Sequence, residues 1–223
     1  MKIYRDTIQG SFEWHQLRYG KITGSDPKSI IGSKDLKELS IINEMIAELT
    51  RPFELDDEGF ISKAMQRGHD LEPSARLELQ SQTGLVFNVI GFIERSGFHG
   101  HSPDGLTEDL KIGAEIKCPS PSTHIKYVRA NEFPKEYLFQ GLNFFSVNEN
   151  MEQLYFISYD PENELVPVFI KKISLNDSIL IGKQSKTVLE WAKLIRENVD
   201  EIEKICNSFI DEQKKKNELI LRF

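Results

Sequence analysis

The chain has 223 residues, of which 39% are hydrophobic and 28% charged, a composition that supports a sizeable core and excludes an intrinsically disordered chain. Its formal net charge of −7 argues against a uniformly basic surface, although an acidic exterior can coexist with one basic groove. No apolar run reaches the length of a membrane span, "MKIYRDTIQGSFEW" holds no apolar signal core, and two cysteines, Cys118 and Cys206, cannot supply four thiolates to a zinc site or an iron–sulfur cluster.

In chain order, residues 1–11 read as an extended arm. "SFEWHQLR" reads as a short helix with Ser11 as its N-cap. Apolar residues at 36, 39, 42, 45, 46 and 49 have helical spacing. Residues 61–82 read as helix again, with a kink near Glu72 or a restart at Pro73, because proline removes a backbone donor and constrains the residue before it. From residue 84 the pattern changes to short apolar runs broken by Gly, Asn, Pro and Asp. Strands are expected near 85–94, 98–101, 104–107 and 112–117. Residues 122–130 and 135–146 read as helices, the second opened by Pro134. "EQLYFISYD" and "LVPVFIKKISL" form a strand pair around the turn "PENE", and 176–216 reads as mostly helical. The expected fold class is α/β (α+β): a central mixed sheet flanked by helices, in a single domain over 1–223 with a core of about 12–175 and a helical extension of about 176–223.

The stretch "HGHSPDGLTEDLKIGAEIKCPS" carries the chemistry. Glu115 and Lys117 lie two apart on an expected strand and share a face, while Ala114 and Ile116 suit burial on the other. A hairpin around "EDLKIG" would lay Asp104 beside Glu115. Two carboxylates so close are hard to keep ionised without a cation between them. Mg2+ suits the set, with the Ile116 backbone carbonyl as a further ligand and water completing the shell. Lys117 would orient or deprotonate an attacking water, or neutralise transition-state charge. An exposed hairpin with Asp-Gly and Glu-x-Lys is the plain structural alternative. Trp14 reads as a core aromatic or a base-stacking platform. His99 and His101 read as structural or as contacts to metal or phosphate, and Lys214–Lys216 as a solvated run or a DNA contact.

Four segments in order, "WHQLRYGKITGSD", "GHDLEPSAR", "HSPDGL…GAEIKCPS" and "YLFQGLNFFSV", resemble the phage lambda exonuclease family, the YqaJ-type viral recombinases of the PD-(D/E)xK nuclease superfamily. The resemblance covers roughly residues 12–161 and implies a restriction-endonuclease-like core. It marks Glu72, Asp104, Glu115, Lys117 and Gln140 as catalytic. Asp104, Glu115 and the Ile116 carbonyl become metal ligands, with Glu72 and Glu94 as further acids. Glu94 stands where the family has Asp. Arg18, Ser25, Ser102 and Trp14 fall at the DNA and 5′-phosphate contacts, where a guanidinium fork suits a dianion.

What the resemblance implies is a 5′→3′ exonuclease using Mg2+ or Mn2+ on one strand of a double-stranded DNA end. Mononucleotides would be released and a 3′ overhang left. A homotrimeric ring would keep the enzyme on its strand, and a single-strand annealing protein would take the overhang. A cytoplasmic location in a bacterial host of a phage or prophage is expected, with no membrane partner. The sequence holds no P-loop, so neither ATP nor an iron–sulfur cluster is implied. The rival readings are a PD-(D/E)xK endonuclease and a non-catalytic DNA-binding module.

Overall fold

The computed structural model describes residues 1–33, 35–55 and 63–220. The N-terminal arm forms β1 (Lys2–Tyr4), antiparallel to β2 (Phe92–Ser96), which pairs with β3 (His99–His101). α1 (Phe12–Arg18) begins where expected, with the Ser11 hydroxyl accepting from the Trp14 N–H at 3.2 Å. A short α2 (Pro27–Ile30) follows. The stretch 36–49 is not one helix. Leu39 is extended and divides it into a 3-10 turn at Leu36–Glu38 and α3 (Ser40–Leu49).

α4 (Lys63–Thr83) runs through Pro73 as one helix and does not restart there; residues 61 and 62 of that expected helix lie outside the described residues. Proline costs the helix one hydrogen bond. The turn beyond it is held by Ala75 and Leu79, both fully buried against Ala114, Ile116 and Ile157.

The expected strand over 85–94 forms only at its end. Residues 85–91 make one isolated bridge, Asn88 to Leu106. The backbone here is committed elsewhere: Gly91 N–H donates to the Tyr4 carbonyl, and Phe87 N–H to the Gln80 side chain. The site-bearing sheet has the order β4 (Gly105–Leu106), β5 (Ile112–Lys117), β6 (Gln153–Tyr159), β7 (Val168–Ser174). β5 and β6 are parallel, whereas the outer pairs are antiparallel. A parallel pair needs a crossover, which α5 (Pro121–Ala130) and α6 (Leu138–Val147) supply.

Residues 176–216 are helical only in part. Ser178–Ile181 and Gln184–Thr187 form a hairpin, β8 and β9, turning at Gly182 with φ +61°. α7 (Val188–Ile220) then packs along α6. Its Trp191, Ala192, Ile195, Val199, Ile202 and Cys206 are buried in the same cluster as Leu142 and Phe144. The layers are α4, sheet, α6 and α7, so the C-terminal helix is part of the main core. Among the described residues no helix is long and apolar enough to cross a membrane.

Candidate active site

The site is set by one register match. Gly113 and Glu115 project from the same face of β5, two residues apart. On α6, Gln140 and Phe144 lie one turn apart. A two-residue strand step and a helical turn are both about 5–7 Å, so the pairs stack: Phe144 over Gly113 and Gln140 over Glu115. Gly113 is required here, because a Cβ would stand 2.4 Å from the Phe144 ring. The Gln140 amide reaches both Glu115 oxygens, at 2.7 and 2.8 Å, and Glu115 is buried.

Asp104 arrives from the other side. Gly105 pairs with Ala114 across the hairpin, which sets Asp104 beside Glu115 as expected. The Ile116 N–H donates to Asp104 Oδ2 at 2.7 Å. A strand residue's N–H and C=O point to one edge, so the Ile116 carbonyl lies on the Asp104 side. Lys117 bridges the acids: its ammonium pairs with Glu115 Oε1 and lies 3.4 Å from Asp104 Oδ2, above the Tyr137 ring at 5.3 Å. Burial, then repulsion from Asp104, raises the Glu115 pKa against the opposing pull of Lys117. Burial works against the Lys117 charge, but Asp104 and Glu115 outweigh it and raise its pKa. Lys117 is therefore held as an ammonium donor in this arrangement.

Glu72, on α4, is close enough for Asp104 to raise its pKa after burial has done so. Its carboxylate is paired with Arg76, which also donates from Nε to the Asp104 carbonyl at 3.1 Å. Glu72 thus sits behind Asp104 through Arg76. Arg76 is one turn from Glu72, a spacing that marks helix ion pairs in sequence. Glu94 is not brought to this group by any contact. It accepts from the Tyr4 hydroxyl at 2.9 Å and pairs with Lys21 at 3.5 Å.

The remaining expected residues meet in one cavity of about 310 Å3, lined by Trp14, Arg18, Ser25, Ser102, Asp104 and Gln140 among others. The Trp14 indole N–H donates to Ser102 Oγ at 2.8 Å, Arg18 reaches the same oxygen at 3.4 Å, and the guanidinium stacks 4.4 Å from the Trp14 ring. Trp14 is thus neither simple core nor a free platform; it orients Ser102 and Arg18.

Among the described residues no three His, Cys, Asp or Glu side chains form a ready metal cage. The donors present still fit a hard divalent cation. Two carboxylates share one spot, and a cation beside them would offset both the burial and the Asp104 repulsion that raise the Glu115 pKa. Backbone carbonyl and water would complete the shell, the mode in which Mg2+ binds.

The model of the YqaJ-like viral recombinase domain matches residues 13–147. No curated protein matches the chain. Among solved structures, the alkaline exonuclease LHK-Exo from Laribacter hongkongensis is 28% identical with a TM-score of 0.69, over 94% of this chain and 100% of that one. LHK-Exo in complex with dAMP gives 26% and 0.65, over 92% and 99%. A phage-related exonuclease from Haemophilus somnus 129PT shares the fold at 17% identity and TM-score 0.54, over 89% and 98%. The mixed α/β core is of the PD-(D/E)xK type, and with the family model spanning more than half of its length the chain belongs to the YqaJ-like viral recombinase family.

Proposed function

We propose that this protein is a metal-dependent exonuclease that degrades one strand of double-stranded DNA from its 5′ end, releasing mononucleotides and leaving a 3′ overhang. The observation that carries this reading is the convergence of Asp104, Glu115 and Lys117, with Gln140 on Glu115, beside a cavity that Asp104 and Gln140 line together with Arg18 and Ser102. A reacting phosphodiester would sit by the acids and a terminal phosphate by Arg18 and Ser102. The likeness to LHK-Exo, solved with dAMP, supports a mononucleotide product.

When bound, Mg2+ or Mn2+ would polarise the scissile phosphoryl oxygen and promote attack by water. Asp104, Glu115 and the Ile116 carbonyl would hold it. Gln140 fixes the Glu115 carboxylate, and the Ile116 N–H and Arg76 fix Asp104 from both of its ends. Lys117 would donate to a phosphoryl oxygen as charge builds in the transition state. Arg18 and Ser102, steadied by Trp14, would hold the terminal phosphate, with Ser25 beside them. Glu72 acts through Arg76. The whole chain would work as one nuclease domain, in a homotrimeric ring around its strand and beside a single-strand annealing protein, in the cytoplasm of a bacterium carrying a phage or prophage.

The test uses a linear duplex labelled at one 3′ end, with or without a 5′-phosphate, and a closed circular plasmid, each with Mg2+, Mn2+ or EDTA. Expected are mononucleotides from the linear DNA, a long surviving 3′-labelled strand and an intact plasmid. A cut plasmid would make the same core an endonuclease. No cleavage in either metal would leave a DNA-binding module.

A further inference from the structure

Two histidines on β3, His99 and His101, face α6 and are fully buried. Asn143 on α6 bonds with both. Its amide orientation is fixed by chemistry: Nδ2 lies 3.0 Å from the Gly100 carbonyl, which can only accept. Oδ1 therefore faces His99 Nε2, at 2.9 Å, and that nitrogen carries the proton. Arg95 Nε donates to His99 Nδ1 at 2.9 Å, so both His99 nitrogens are satisfied and its role is structural.

His101 differs. The same Asn143 Nδ2, a donor, lies 3.4 Å from His101 Nδ1, which must accept. The proton of the neutral ring is then on Nε2, and that atom is buried with no partner among the described residues. One face of the ring is stacked on Phe144, 4.5 Å between centroids. Burial first, then the Arg18 charge, lowers the pKa to about 3, so the ring is neutral at ordinary pH. A buried N–H without an acceptor costs about 1–3 kcal/mol and calls for an explanation. His101 lines the same cavity as Arg18, Ser102 and Gln140, where an anion would supply the missing acceptor.

We propose that His101 is a further phosphate-binding residue of this cavity, its Nε2–H donating to an oxygen of the terminal phosphate that Arg18 and Ser102 hold. The inference rests on the exonuclease reading and deepens it. Nothing changes bonding; one hydrogen bond forms to the anion, and a neutral donor adds selectivity for phosphate without adding charge.

The test compares two conservative variants. His101→Gln places an amide N–H near the former Nε2, whereas His101→Asn reaches only as far as Nδ1. The readout is the ratio of kcat/KM on 5′-phosphorylated over 5′-hydroxyl duplex ends, in Mg2+. His101→Asn should lower that ratio about tenfold, the worth of one charge-assisted hydrogen bond, while His101→Gln should keep it within about threefold of the wild type. An unchanged ratio in His101→Asn, including an equal loss on both ends, or a wild type indifferent to the phosphate would overturn the proposal while leaving the exonuclease reading standing. Binding provides an arm that needs no turnover. In metal-free protein, 15N–1H histidine correlations should show the Nε2–H tautomer of His101. Its signal should shift on adding a 5′-phosphorylated duplex and not its 5′-hydroxyl counterpart. An Nδ1–H tautomer or equal shifts would sink the idea, and a wild type that cleaves nothing would count against the exonuclease reading separately.

Discussion

Lys117 carries two loads at once, and they respond differently to mutation. Its ammonium holds Asp104 and Glu115 together, and in the proposed reaction it donates to the phosphoryl group. Lys117→Ala should cut nucleotide release by two orders of magnitude or more, the usual cost of losing one transition-state donor. It should also change stability in the absence of metal. If both acids stayed ionised, the loss would be on the order of 3 kcal/mol, but Glu115 can escape by binding a proton. Glu115 has a raised pKa in the fold, so its contribution is present below its unfolded pKa and lost as pH rises through the folded one. The variant should therefore melt close to wild type at pH 5 and well below it at pH 8. An equal deficit at both pH values would mean that Lys117 does not compensate these acids. The Asp104, Glu115 and Lys117 set was legible in sequence because hairpin register and strand alternation are local rules. Arg76 as the link between Glu72 and Asp104, and the orphan nitrogen of His101, were not, because each depends on what packs across the sheet.

Elements hold the site by spacing, and Gly113 is where that can be tested. An added methyl would meet the Phe144 ring at 2.4 Å, and Phe144 is fully buried against α7 residues, so α6 would have to lift. Gly113→Ala should cost about 1–3 kcal/mol in urea unfolding and reduce activity by drawing Gln140 off Glu115. Adding Phe144→Leu should return much of both; a double variant no better than the single one would mean that this contact does not set the register. The elements legible in sequence include α1 with its cap, β3 to β5, α5, α6 and the β6–β7 pair. The errors fall where local pattern and tertiary demand part. Residues 178–187, "SILIGKQSKT", show no clean alternation and run straight into a strongly periodic helix at Val188; only the turn at Gly182, between β8 and β9, marks the hairpin. Residues 85–91 look like strand, but their backbone donors are committed to separate partners: Phe87 to the Gln80 side chain, Asn88 to Leu106 and Gly91 to Tyr4. Pro73 does not restart the helix, because Ala75 and Leu79 are buried in the core just beyond it.

Across the molecule, the buried histidines tie β3, α6 and α7 into one body. Arg95 bonds His99 and pairs with Asp200 on α7, and Asn143 joins both rings to α6. Burial lowers the His99 pKa to about 4 and that of His101 to about 3. Of the nearby charges, Arg95 and Arg196 lower and Asp200 raises the His99 pKa, whereas Arg18, His99 and Lys117 all lower that of His101. A histidine depressed in the fold contributes stability that is complete above its unfolded pKa, near 6.5, and is lost as pH falls toward the folded value. Each ring should then weaken the fold by about 1.4 kcal/mol per pH unit over that window. Glu115 acts in the opposite sense between about pH 7 and 4.5, so the wild-type slope mixes both effects. A difference measurement separates them. His101→Leu fills a similar space and removes an unsatisfied donor, so it should equal or exceed wild type in metal-free urea unfolding at pH 7.5. Its advantage should grow by about 1.4 kcal/mol for each unit that pH falls from 6.5 to 5, because only the wild-type unfolded chain gains that proton. A constant difference across those pH values would mean that His101 titrates normally in the folded protein. It would then take a proton as freely as an exposed ring, which its burial beside Arg18 and Lys117 should forbid.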